Sequence, residues 1–173
     1  MHEKKINRFS RRDLFKGFMR HIRGQDMEEE TSGLSPEVRR ADQLLKEKQY
    51  QEAADVFAGC LEEEPGHVEA LRKLGYCQLK LDQLAQARQT WEKLTRIKPG
   101  DHFAVLYTGL SHAMENDADQ AVTAWKTYFN IKQPFIQREI NLILALHERG
   151  DALDPAQMVK SIEEAIAAQK KKQ

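Results

Sequence analysis

The sequence predicts an all-α protein, a solenoid of helix-turn-helix repeats closed by a C-terminal capping helix pair. Three observations predict it. Small, aromatic and proline residues recur at an interval of 34 along the chain. Within each interval the apolar residues return every three or four positions, the spacing of one helix face. A proline follows each second helical stretch, where its ring and missing N–H stop a helix.

The columns define the elements in order. Ala41, Gly75 and Gly109 stand 34 apart, as do Ala53, Ala87 and Ala121, and Phe57, Trp91 and Trp125. Pro65 and Pro99 keep the interval, and Pro134 comes one place late. The units read ADQLLKEKQYQEAADVFAGCLEEEPG, GYCQLKLDQLAQARQTWEKLTRIKPG and GLSHAMENDADQAVTAWKTYFNIKQP, each a helix, a polar turn and a second helix. Leu84, Ala87, Trp91, Leu94 and Ile97 make the apolar face of one such second helix. Ser35 as N-cap and Pro36 at the first helical position begin the array. Repeats occupy 34–67, 68–101 and 102–135, and a degenerate fourth unit occupies 136–170. Pro134, at the end of the third repeat, suits the first turn of the fourth unit's helix PFIQREINLILALHERGD. DPAQMVKSIEEAIAAQKKK follows as a capping helix with Met158, Val159, Ile162, Ala165 and Ile166 inward.

These columns resemble the tetratricopeptide repeat, with its small residue at position 8, Ala at 20, aromatic at 24 and Pro at 32, over Leu34 to about Phe135. The resemblance implies a right-handed superhelix. It also implies that the first helices line a groove for a partner peptide or helix, and that the protein is a non-enzymatic scaffold or adaptor. By the same resemblance the groove residues are Arg39, Lys46, Arg72, Lys73, Tyr76, Lys80, Phe103, Tyr107, Leu110, Met114 and, from the fourth unit, Asn141. Leu106 and Leu110 are read equally well as packing between repeats. A groove basic at one end and aromatic-aliphatic at the other suits a partner with acidic and apolar parts. The family's chaperone-binding branch grips a terminal carboxylate with Lys, Asn and Arg. Here Val38, Asp42, Lys73, Phe103 and Tyr107 stand at clamp positions, so no chaperone clamp is expected.

The first 24 residues differ from the rest. They hold eight Lys or Arg against Glu3 and Asp13, a net of +6, and the remainder holds 19 basic against 25 acidic residues, a net of −6. Leu14, Phe15, Phe18, Met19 and Ile22 fall on one side of a helical wheel, and basic residues fall on the flank and opposite side, making residues 1–24 a basic amphipathic arm. The acidic stretch 25–34 is read as a linker to the solenoid over 35–170. FSRRDLFKGF, with Arg11 and Arg12, resembles the bacterial twin-arginine export motif but leads into MRHIRGQDMEEE. It lacks the apolar run of a signal peptide. The resemblance extends to leaders of iron–sulfur and molybdenum respiratory subunits, which implies an accessory or assembly factor of a membrane-associated redox complex. A cytoplasmic protein, peripheral at the inner membrane through residues 9–24, is expected. An exported periplasmic scaffold is the alternative.

Catalytic chemistry is not expected. The six histidines form no i, i+4 pair, and no Gly-rich loop or G-x-S-x-G occurs. Cys60 and Cys77 form no C-x-x-C and read as buried hydrophobes, and His112 as a hydrogen-bonded core residue. No cofactor, metal or nucleic acid is expected, and no stretch is long and apolar enough for a transmembrane helix.

Overall fold

The computed structural model describes residues 36–172. The arm residues Arg11, Arg12, Leu14, Phe15, Phe18, Met19 and Ile22, the linker and Ser35 lie outside the described residues. Eight helices and no strands appear among the described residues: α1 (Pro36–Lys46), α2 (Tyr50–Glu63), α3 (Val68–Lys80), α4 (Leu84–Ile97), α5 (His102–Met114), α6 (Ala118–Trp125), α7 (Pro134–Arg149) and α8 (Pro155–Lys170). Each of the pairs α1–α2, α3–α4, α5–α6 and α7–α8 packs as a hairpin, and the first three stack in order.

The 34-residue period extends to the backbone. Lys48, Asp82 and Asn116 are the non-glycine residues with positive φ among the described residues, at 61°, 60° and 63°. Each ends the first helix of a hairpin. The N–H of the following residue closes a six-to-one bond: Gln49 N to Leu44 O at 2.9 Å, Gln83 N to Gln78 O at 2.9 Å, and Asp117 N to His112 O at 3.0 Å. This left-handed cap satisfies carbonyls that the helix leaves open. Asp and Asn tolerate that conformation better than most residues, whereas Lys48 holds it at a cost of ~1 kcal/mol.

The glycine and aromatic columns meet in space. Trp91 and Trp125 are fully buried, and each lies flat on the glycine of its own hairpin. A Cβ added at Gly75 would sit 2.2 Å from Trp91 Nε1, and one at Gly109 would sit 2.2 Å from Trp125 Nε1. The indole N–H groups donate to Arg72 O at 3.4 Å and Leu106 O at 3.0 Å, carbonyls that are again 34 apart. In the first hairpin the same two columns hold Ala41 and Phe57, both fully buried. The smaller ring leaves room for the methyl group. Small residue and ring size are therefore matched hairpin by hairpin.

The third unit departs from the expected pattern. Its second helix, read from the sequence as running to Pro134, ends at Trp125. Residues 126–133 follow as turns and irregular chain. Thr127, Tyr128, Phe129, Asn130 and Ile131 are β-branched, aromatic or amide residues with poor helix propensity. Side-chain bonds give this backbone another conformation: Asn130 N–H donates to Gln137 Oε1 at 2.7 Å, and Lys132 N–H donates to Asn130 Oδ1 at 3.0 Å. In the last unit Met158 and Ile162 are buried, with Val159, Ala165 and Ile166 packed partly around the same core. The helix that carries them, α8, packs on α7 and also reaches back to α5.

The matched columns give a stability prediction. Gly75→Ala costs about 2 kcal/mol by overpacking a rigid ring, although alanine otherwise gains ~1 kcal/mol over glycine in a helix. Adding Trp91→Phe recreates the pairing of the first hairpin, so urea unfolding of the double variant shows less destabilisation than the sum of the singles. Additive losses would break the account.

Candidate partner-binding groove

The first helices α1, α3 and α5 present the residues that the repeat pattern assigns to a groove, and their side chains are tied across hairpins. Lys73 on α3 bonds Asp42 on α1 through Nζ at 2.7 Å and 2.8 Å, and Glu69 at 3.2 Å. Arg72 forms an ion pair with Asp101 and reaches Glu69 at 3.0 Å. Asp101 is the N-cap of α5, where its Oδ1 accepts from Ala104 N–H at 3.1 Å, and its side chain is fully buried. Burial alone would push the Asp101 carboxyl up. The hydrogen bonds from Arg72 and Ala104 outweigh burial and hold it below the usual carboxylate range. Arg72 is raised by the same pairing despite its own burial.

Beyond the ion pairs lies an aromatic cluster. Tyr76 on α3 meets Phe103 and Tyr107 on α5 edge-on at 6.5 Å and 5.4 Å. Phe103 and Tyr107 lie 4.5 Å apart, and Trp91 stacks on Tyr107 from behind at 5.9 Å. Lys80 Nζ stands 5.5 Å from the Tyr76 ring. Helix α8 flanks this cluster. Burial raises the Tyr76 and Tyr107 hydroxyls, and the Glu163 carboxylate of α8 is close enough to add to both shifts.

The structure therefore sorts the expected groove residues. Arg39, Lys46 and Lys80 are exposed and make no ion pair among the described residues. Arg72 and Lys73 are half-buried and neutralised in place by Asp101, Asp42 and Glu69, so they do not form the open basic end expected from sequence. Tyr76 and Phe103 remain half-exposed, and Met114 is exposed. Tyr107 and Leu110 are buried at 8% and 2% and belong to the core, which corrects their placement in an open trough. The cause is packing from both sides, by Tyr76 and Trp91 and by the neighbouring α8. Leu106, at 4%, also packs between repeats. Asn141 is exposed on α7, where it accepts from Gln137 Nε2 at 2.9 Å. Because α8 reaches α5, Asn141 does not extend the row of first helices.

Asp101 is the residue that sequence reading missed. Its signal was an acid directly before a predicted first helix, the N-cap position, but nothing local points to a partner 29 residues earlier. His112, read as a core histidine, is only half-buried, and its pKa is lowered chiefly by that burial. Cys77 is fully buried, and burial pushes its thiol up to about 11, which leaves it unreactive. No group of three or more His, Cys, Asp or Glu able to hold a metal occurs among the described residues.

Replacing Asp101 isolates the charge pair. Asp101→Asn keeps the capping oxygen but leaves Arg72 without its main counter-charge, a loss of about 2 kcal/mol. The folded carboxyl titrates below its unfolded value, so this contribution is present above pH ~4 and lost as pH falls through the folded pKa. Acid titration followed by circular dichroism will show a shallower low-pH stability loss in the variant than in the parent chain.

Comparison with known proteins agrees with this geometry. The family model described as Tetratricopeptide repeat matches residues 44–107. Among solved structures, MamA superposes with a TM-score of 0.59 at 17% identity, covering 95% of this chain and 99% of that one. A MamA fragment from Desulfovibrio magneticus RS-1, residues 41 to the end, gives 0.57 at 19% identity, covering 91% and 94%. The first repeat domain of Spaghetti (RPAP3), bound to an HSP90 peptide, gives 0.51 at 12% identity, covering 75% and 89%. At these identities the likeness is one of fold. No curated protein sequence matches the chain. Residues 44–107 thus match the tetratricopeptide repeat, in general a non-enzymatic fold for protein–protein interaction, and the helical solenoid of the described residues has that fold.

Proposed function

We propose that the row formed by α1, α3 and α5 holds an extended segment or helix of a protein partner. The observation that carries this reading is the half-open Tyr76–Phe103 pair beside cations that form no ion pair among the described residues, Lys80 with Lys46 and Arg39 farther along. Bases left unpaired among the ion pairs of Arg72 and Lys73 favour carboxylates on the partner. The aromatic edges favour one apolar anchor that loses its water on binding. Asp42 already occupies Lys73, which supports the reading that terminal carboxylates are not gripped here in the chaperone-binding manner. Peptide-display selection on the full-length chain will enrich segments with Asp or Glu next to a large apolar residue. Lys80→Glu with Phe103→Ala will weaken the selected peptides about tenfold or more, in a salt-dependent way. Peptides of mixed composition, or affinities indifferent to both changes, would remove the assignment. Tyr107 is unsuitable as a probe, since truncating a buried ring costs stability first.

For residues 1–24 we propose an attachment role at the inner membrane or on a second partner, with the solenoid in the cytoplasm as an accessory factor of a membrane-bound redox complex. The support is sequence alone: a net charge of +6, one apolar face and the Ser-Arg-Arg motif without an apolar run behind it. Fractionation of cells making the chain with and without residues 1–24 will show membrane association lost on deletion. Recovery of a shortened chain from the periplasm would instead support export.

A further inference from the structure

The chain between α6 and α7 presents its largest apolar side chains to water. Phe129 is 73% exposed and Ile131 75%, and the residues between and before them, Asn130 and Tyr128, are buried. This alternation is held by bonds. The Tyr128 hydroxyl donates to Gln133 Oε1 at 3.0 Å, Asn130 N–H donates to Gln137 Oε1 at 2.7 Å, and Asn130 Oδ1 accepts from Lys132 N–H at 3.0 Å. The end of α8 is fastened to the same place. Gln169, itself buried, accepts from Phe135 N–H at 3.3 Å and donates to Lys132 O at 3.4 Å. Lys172 Nζ stands 4.8 Å from the Phe135 ring.

Two segments distant in sequence are thus brought together, and both are basic. Residues 126–138 carry Lys126, Lys132 and Arg138, and residues 165–172 carry Lys170, Lys171 and Lys172, with no Asp or Glu in either segment. All six are exposed, on a body whose residues 25–173 have a net charge of −6 with these six included. Neither Phe129 nor Ile131 belongs to the core cluster, and the groove residues do not include them.

We propose that this end of the solenoid is a lipid-facing surface, on which an anionic bilayer receives Phe129 and Ile131 at the headgroup–acyl boundary while the lysines meet the headgroups. The composition distinguishes a bilayer from a protein partner. Protein interfaces are depleted in Lys and enriched in Arg, and five of these six cations are Lys. Long lysine stems lie along apolar matter and keep the ammonium group in water, the arrangement that an interface between lipid and water requires. Exposed apolar side chains with a basic surround are the shared signature of peripheral membrane attachment. The surface shares no residue with the groove.

The test uses the full-length chain, so residues 1–24 contribute equally to every variant. Sedimentation with phosphatidylcholine vesicles, with and without phosphatidylglycerol, reads the partition coefficient. Binding is expected on the anionic vesicles and falls with salt. Phe129→Ser with Ile131→Ser lowers it about tenfold or more. Reversing Lys170, Lys171 and Lys172 to Glu lowers it at least about fivefold per residue. Ile131→Trp supplies the deciding readout, because Trp91 and Trp125 are fully buried and give a constant background. Brominated acyl chains are expected to quench the added indole on anionic vesicles. Absence of that quenching overturns the proposal whatever the partition does. Binding through the same residues to polyglutamate in place of vesicles also overturns it and assigns the surface to an acidic protein.

Discussion

The contact between a bare helix backbone and a flat indole sets the geometry of this solenoid. Glycine at the eighth position lets Trp91 and Trp125 approach within a distance that a Cβ would occupy. Each ring fills the angle between the two helices of its hairpin and anchors its N–H on the first helix, to a carbonyl three residues before that glycine. Crossing angle and separation follow from that contact, because helix pairs interlock through the side chains at their crossing point. With Ala41 the ring shrinks to Phe57, so the constraint concerns summed volume more than residue identity. The left-handed caps at Lys48, Asp82 and Asn116 then return the chain at the same length each time.

Between hairpins the glue is partly ionic. The Lys73–Asp42 and Arg72–Asp101 pairs each tie one first helix to the next, and Arg88 on α4 reaches Glu115 at 2.8 Å and Ser111 at 3.3 Å. Charges that a repeat pattern would assign to a ligand are spent internally here. What remains for a partner is a narrower surface, bounded by the half-open aromatics and by cations farther out.

The last unit changes what the solenoid offers at its other end. A regular fourth hairpin would continue the row of first helices, whereas α8 reaches α5 and lies beside the aromatic cluster. The short α6 and the bonded irregular stretch after it accompany this rearrangement. They leave Phe129 and Ile131 in water at a place where two lysine-bearing segments converge. One departure from the period therefore both limits the groove and creates a second surface of different chemistry.

Most of the architecture was legible in the sequence because repeat packing is local. Matched glycine and tryptophan columns stand 16 residues apart within a hairpin, and helix periodicity names the faces that meet. The proline one place late marked the third unit as irregular, without saying where α6 would stop. The site was less legible. Whether Arg72 is free or spent depends on Asp101, 29 positions away, and whether Tyr107 is open depends on where α8 returns. A repeat interval records which residues face the neighbouring helix, since every unit meets that requirement in the same way. Ion pairing between units and the course of a helix that breaks the period are settled only when the whole chain packs, because each depends on a single long-range contact with no second copy in the sequence to reveal it.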